Sequence, residues 1–408
     1  MTQGNRHIVG LALIVALMAG GAGCGKSGST DKPIVIGVTM PQTGPFADTG
    51  HWIEDGYKVW AEQVNAAGGL LGRKVELIIE DSQLKPDIAV SKAQKYLLEG
   101  NVDVIIGAGS NVVKPLQDLA KQYNVLLIMA AHADVETGKN FNYNSVRLTW
   151  NTSMLARAII NYAAKSLPGM KKFYLLNQDY AYGRDFAANY RKELARQIPE
   201  AQVVGEDYHP LMSIDLSPFL TKVKMSGAEV ILSSSWGLDA SVLIKQRVEL
   251  GVKAILIDPP AVDPTFIREN PEGSIGTHGC DTWFNTSTSK ESLDFIVSWK
   301  RTIKSADHPL PTNMAAREYI ATKFLLEGIR KAGSTAVNKV VPVLENLRIT
   351  AISGEVSMRA CDHQLMMPLQ CVSVGRKDPP YYGGPVTIPA SVTTIDEQDV
   401  DNPRCKRK

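Results

Sequence analysis

This chain is poor in the marks of catalysis. It contains no GxSxG, no HExxH and no GxGxxG following a strand, and its seven histidines are scattered singly. Nothing in it assembles a nucleophile elbow, a zinc-protease helix or a dinucleotide cradle. The expectation is a non-enzyme with no cofactor and no metal. Its five cysteines show no CxxC spacing and no histidines at zinc-site intervals, which argues against a metal centre. Charge of one sign is lacking too. The 44 basic and 42 acidic residues leave a net +2, which argues against nucleic acid as a partner. Beyond the amino terminus no run is long and apolar enough to span a bilayer. What the chain does have is apolar residues, 44% of 408, enough for sizeable cores in two domains of ordinary size.

The amino terminus has an export pattern. Arg6 precedes an apolar run from Ile8 to Met18, and small residues then lead to Cys24. That order is a secretory signal over residues 1–23, too short to be a membrane span. Gly21-Ala22-Gly23-Cys24 is similar to a lipobox, with Gly21 where an aliphatic residue is usual, so Cys24 is expected to be acylated. Residues 24–32, rich in Ser and Gly, form a flexible tether. The location implied is the periplasm or the cell surface, with a lipid anchor. Residues 20–27 also match GxxxxGK[ST] letter for letter. That pattern works from a strand-to-helix turn, and here it falls inside the processed leader.

The richest segment is 34–86: IVIGVTMPQTGPFADTG, then HWIEDGYKVWAEQVNAAGGLLGRK, then VELIIEDSQLKP. A short β-branched strand is broken by Thr43-Gly44-Pro45, followed by an amphipathic helix stopped by glycines and a second strand. Open α/β sheets bind ligands at the carboxyl ends of such strands. The alternation continues, with strands expected at 75–80, 102–107 and 125–130 and helices at 86–99 and 113–123. After Trp150 a second series offers strands at 173–177, 202–206, 230–234 and 254–258. Residues 282–347 read as mostly helical. From Lys377 the sequence becomes rich in Pro, Gly and charge, and 386–408 is expected to be a surface tail. Cys361 and Cys371 flank an expected hairpin, which either bridges them or leaves two buried thiols.

The 34–86 segment resembles the start of the branched-chain amino-acid-binding family of periplasmic receptors, the type I solute-binding proteins of ABC importers. The resemblance implies two doubly wound, Rossmann-like α/β lobes joined by a three-strand hinge. Lobe 1 would comprise 33–150 and 282–349, and lobe 2 would comprise 151–281 and 350–385, with crossings near 150, 281 and 350. Hinge closure then traps a ligand between the lobes.

Within Ala108-Gly109-Ser110-Asn111, the exposed N–H groups of a helix start and the Ser110 hydroxyl suit a carboxylate, or Ser110 simply caps the helix. The resemblance assigns the ligand's carboxylate to this place. It also implies a ligand-facing stretch at Ala131-His132-Ala133, where Ala133 stands in place of the family's hydroxyl residue and His132 is available to donate to an anionic or phenolic group. In the second lobe it sets aromatic residues against the ligand at Tyr182 and Trp236. Asp258 is its candidate for pairing with an ammonium, although Pro260 aligns more naturally there. Phe46 and Trp52 are expected at the cleft mouth, whereas Trp60, Met366 and Met367 read as core.

The function these residues imply is capture of a small carboxylate-bearing molecule and its delivery by a monomer to an ABC permease. The ligand is an aromatic or aliphatic acid, or a neutral or branched amino acid. The alternative is a sensor subunit that reports to a signalling partner.

Overall fold

The computed structural model describes residues 32–376, 386–394 and 402–405. The export segment and Cys24 lie outside these. Strand β1 (Ile34–Met40) is buried along its whole length, because helices cover both faces of its sheet. It pairs in parallel with β2 (Val75–Asp81) and β3 (Val104–Ala108), and β4 (Leu126–Ala130) and β5 (Ser145–Arg147) follow in the same sense. Between these strands run α1 (Ala47–Ala66), α2 (Pro86–Leu98) and α3 (Ser110–Tyr123).

The second unit starts with α4 (Thr152–Ser166), whose N-cap Asn151 accepts from the Met154 N–H at 2.9 Å. Then come β6 (Lys172–Gln178), α5 (Ala181–Gln197), β7 (Gln202–His209), α6 (Ser217–Ser226), β8 (Val230–Ser233), α7 (Leu238–Glu249) and β9 (Ile255–Ile257). Two short helices, α8 (Pro264–Glu269) and α9 (Pro271–Ser274), lead to β10 (His278–Asp281). The chain then builds α10 (Lys290–Thr302), α11 (Asn313–Ala332) and α12 (Val337–Leu344) against α1 and one another. Strands β11 (Arg348–Ala351), β12 (Gly354–Arg359), β13 (Gln364–Met366), β14 (Pro368–Gly375) and β15 (Val386–Thr394) complete it.

These strands form two sheets, in the orders β11-β12-β13-β5-β4-β3-β1-β2 and β15-β14-β10-β9-β8-β6-β7. The α/β class with two mostly parallel sheets is the one expected from the sequence. The chain changes sheet after β5, again after β10, and a third time at Met367, between β13 and β14. The third change therefore lies later than the expected position near 350. Gln364 of β13 pairs in parallel with Arg147 of β5, and β12 pairs with β13, so β11 to β13 extend the first sheet.

The same fact overturns the expected Cys361–Cys371 bridge. Cys361 belongs to the turn between β12 and β13 of the first sheet, whereas Cys371 lies in β14 of the second. The antiparallel register of β10 and β14 sets Cys280 directly opposite Cys371, and these two are bonded. Cys361 is bonded to Cys405. Residues 386–394 and 402–405, within the expected tail, are accordingly not free. Strand β15 pairs with β14 along eight residue positions, and Cys405 is bonded to Cys361 of the first lobe. Trp60 is core, as expected, and Trp52 is buried against His308 and Trp299. No helix among the described residues is long and apolar enough to cross a membrane.

Candidate ligand-binding site

The carboxyl ends of β1, β3 and β4 face those of β6, β8 and β9 across a cavity of about 80 Å³. One buried water needs only ~10–15 Å³, so the space suits a small organic molecule.

A row of rings runs from the hinge to the mouth. His132 lies flat on Trp150, with centroids 3.8 Å apart and planes 19° apart, and 6.0 Å from Tyr182. Tyr182 is 5.7 Å from Tyr180 and meets Phe186 edge-on at 4.9 Å. The Tyr180 hydroxyl accepts from Trp236 Nε1 at 2.7 Å, and Trp236 lies 4.2 Å from Phe46 of the other lobe. Two glycines allow this row. A Cβ on Gly183 would fall 2.0 Å from the Gln178 carbonyl oxygen, so α5 begins hard against the end of β6 and carries Tyr182 inward. Gly237 has φ +63°, and a Cβ there would meet the Phe46 ring at 2.4 Å.

On the lobe 1 side, Gly109 (φ +105°) turns the chain from β3 into α3 and leaves Ser110 at the helix start. The Ser110 Oγ accepts from the N–H groups of His132 and Ala133, both at 3.2 Å. It thereby fastens the loop after β4 to α3. The Val112 and Val113 N–H groups are spent on the Gly109 carbonyl at 3.0 and 3.1 Å, and Ser110 is the one residue of α3 in the cavity lining. His132 Nδ1 is 3.0 Å from the Trp150 carbonyl oxygen. A carbonyl only accepts, so Nδ1 carries the proton. Burial first, and then the Arg317 charge, lower the ring's pKa well below the ordinary value and keep it neutral. Nε2, with no partner among the described residues, is thus an acceptor rather than the donor expected from the sequence.

Charged groups gather at the hinge end. Trp150 Nε1 donates to Asp281 Oδ1 at 3.1 Å, and Asp281 Oδ2 is 3.4 Å from an Arg317 nitrogen. Arg317 also lies 5.2 Å from the Trp150 ring centroid. Asp263 accepts from the Thr265 N–H at 2.9 Å and, across the lobes, from the Asn313 N–H at 3.0 Å. Burial pushes its pKa up to about 6. Asp281 is raised as well, by burial, with Arg317 opposing.

Of the residues singled out in the sequence, Ser110, Ala131, His132, Tyr182 and Trp236 line the cavity, and Phe46 covers Trp236 at its rim. Trp52, Asn111, Ala133 and Asp258 do not line it. Asn111 donates to the Leu84 carbonyl at 2.7 Å. Ala133 is fully buried, its carbonyl accepting from Arg147. Asp258 is fully buried, with neither carboxyl oxygen hydrogen-bonded among the described residues, while the following Pro259 and Pro260 form the wall. Burial raises its pKa far above the carboxylate range, and the nearby Ser235 N–H opposes this.

Trp150, Tyr180, Asp263, Asp281 and Arg317 line the cavity and escaped the sequence reading. Trp150 and Asp281 had a signal in their position at the two points where the chain changes lobes. Asp263 had one in the Asp-Pro pair that starts α8. Arg317 had none.

A family model described as periplasmic binding protein matches residues 33–379. The Leu/Ile/Val-binding protein homolog 4 of Brucella abortus is 24% identical over 375 residues, covering 86% of each chain. A Leu/Ile/Val-binding protein of Rhizobium johnstonii is 27% identical over 309 residues, covering 74% of this chain and 80% of that one. Among solved structures, an ABC-transporter solute-binding protein of Rhodopseudomonas palustris BisB5, in complex with 3,4-dihydroxybenzoic acid, superposes with a TM-score of 0.81 at 21% identity. That match covers 91% of this chain and 99% of the other. The closed form of a leucine-, isoleucine-, valine-, threonine- and alanine-binding protein from Brucella ovis gives 0.79 at 20% identity, covering 89% and 97%. At such identities the structural likeness is one of fold. The family model spans both lobes and all three passages between them, and the chain belongs to the type I periplasmic binding proteins of the branched-chain amino-acid-binding family.

Proposed function

We propose that this protein captures a small organic acid outside the cytoplasm by hinge closure and delivers it, as a monomer tethered through a lipid on Cys24, to an ABC permease. Its carboxylate lies at the start of α3, where Ser110 meets it. Its apolar body lies along Tyr182, Tyr180 and Trp236, which offer flat, polar-rimmed faces.

One observation carries the choice of an acid over an amino acid: among the described residues the cavity's cation, Arg317, makes no hydrogen bond and has an unpartnered Nε, so it lacks an acceptor that a ligand can bring. Asp281 is already paired with Arg317 and bonded to Trp150, each Asp263 oxygen already accepts a backbone N–H, and Asp258 lies behind Pro259 and Pro260. A buried ammonium without a partner would be costly. The 3,4-dihydroxybenzoic acid bound to one similar protein and the 4-hydroxybenzoate bound to another are ligands of the proposed class.

A thermal-shift screen of aromatic acids, aliphatic acids and neutral amino acids tests this. Acids are expected to raise the melting temperature in proportion to ligand excess. Stabilisation by leucine or valine and by no acid would overturn the reading.

A further inference from the structure

Arg317 is the unmatched donor of this site. It projects from the first turns of α11, lines the cavity, and its side chain is only 13% exposed. Among the described residues its guanidinium makes no hydrogen bond. Asp281 faces it as an ion-pair partner at 3.4 Å, and Nε is buried without any partner. A guanidinium carries five N–H donors, and leaving them desolvated and unpaired is unfavourable. Since Asp281 already supplies the countercharge, acceptors are what this group lacks.

An unmatched acceptor lines the same cavity. His132 and Arg317 share the Trp150 indole, with centroid distances of 3.8 Å and 5.2 Å. His132 spends its one proton on the Trp150 carbonyl, and Nε2 is left with a lone pair. A group that serves both residues must accept and donate at once.

We infer that a ligand hydroxyl binds at the hinge end of the cavity, accepting from the Arg317 guanidinium and donating to His132 Nε2, so that the protein selects hydroxy acids over the corresponding bare acids. A second carboxylate would bring no proton for Nε2 and would add negative charge beside Asp281 and Asp263. An ammonium would give Arg317 nothing to donate to. The inference rests on the acid reading above and adds the recognition of a second polar group.

Calorimetry on the full chain with benzoate, its three monohydroxy isomers, leucine and valine tests it. The best-bound hydroxybenzoate should exceed benzoate by about tenfold or more, because a site built around a substrate hydroxyl rejects the analogue lacking it. Arg317→Met, which keeps the aliphatic stem, should weaken that hydroxybenzoate by about tenfold or more and benzoate by less than about threefold. His132→Phe preserves the ring stack and should reduce the same preference. It carries the comparison alone if Arg317→Met does not fold. Equal affinity for benzoate and every hydroxy isomer, or equal losses for both in the variants, would overturn the inference and leave the acid reading standing. Binding of leucine or valine with no acid bound would overturn both.

Discussion

Trp236 touches three things at once. Its Nε1 donates to Tyr180, its ring lies on Phe46 of the opposite lobe, and its face walls the cavity. Trp236→Ala removes that wall and the contact across the mouth together. Ligand affinity should fall by about 1.5–3 kcal/mol, the worth of one large buried side chain, which calorimetry would read as roughly tenfold to a hundredfold. An unchanged affinity would remove Trp236 from the site. Tyr182 and Trp236 were readable because each follows a strand end, a place with a recognisable local pattern. Arg317 was not, since a lone arginine in a helix looks the same whether it faces solvent or a cavity, and only the packing of α11 against the hinge decides. Asp258 misled for the converse reason: a carboxylate at a strand end resembles a ligand group until the following Pro259 and Pro260 take the wall and bury it.

At the level of elements, β14 decides the covalent frame. Its antiparallel register with β10 pairs Cys280 with Cys371, and the late crossing at Met367 leaves Cys361 in the other lobe, bonded to Cys405. Peptide mapping without reduction should therefore yield one cross-linked pair joining 280 to 371 and another joining 361 to 405. A 361–371 peptide would refute the register. The amino-terminal peptide in the same map tests the lipid, since an unmodified Cys24 in membrane-fraction protein would exclude it. Replacing Cys280 and Cys371 with serine should cost about 2–5 kcal/mol of stability, as loss of a long-loop disulfide does, seen as a lower melting temperature. The βα alternation itself was legible, because buried parallel strands are short apolar runs set between capped helices. The final strands were not. An antiparallel hairpin joins either sheet with equal local logic, and only the long-range pairing of β13 with β5 assigns it.

For the whole molecule, the balance between open and closed lobes is the quantity that matters, and carboxylates sit in the contacts that span the cleft. The Asp134 N–H donates to Asp185 Oδ2 at 2.8 Å, Asn189 donates to Asp134 at 2.9 Å, and Asn313 donates to Asp263 at 3.0 Å. Burial, and then repulsion from Asp134, push Asp185 up to about 6, while the Asp134 N–H and the Arg147 charge pull the other way. Opening the lobes hydrates Asp185 and returns it toward the ordinary value of about 4. The closed state thus binds a proton more tightly than the open one, and closure is coupled to proton uptake. The contribution is fully present below the open-state pKa and is lost as pH rises through about 6. Ligand affinity should therefore rise several-fold as pH falls from 7.5 toward 5, by at most about tenfold per unit for a single proton, a range in which an ordinary ligand carboxylate stays ionised. Asp185→Asn keeps an acceptor for the Asp134 N–H and removes the titration, so its affinity profile should be flatter, with the remaining slope assigned to Asp263. A wild-type profile that is flat, or that falls toward acid pH, would show that the cleft carboxylates do not govern closure.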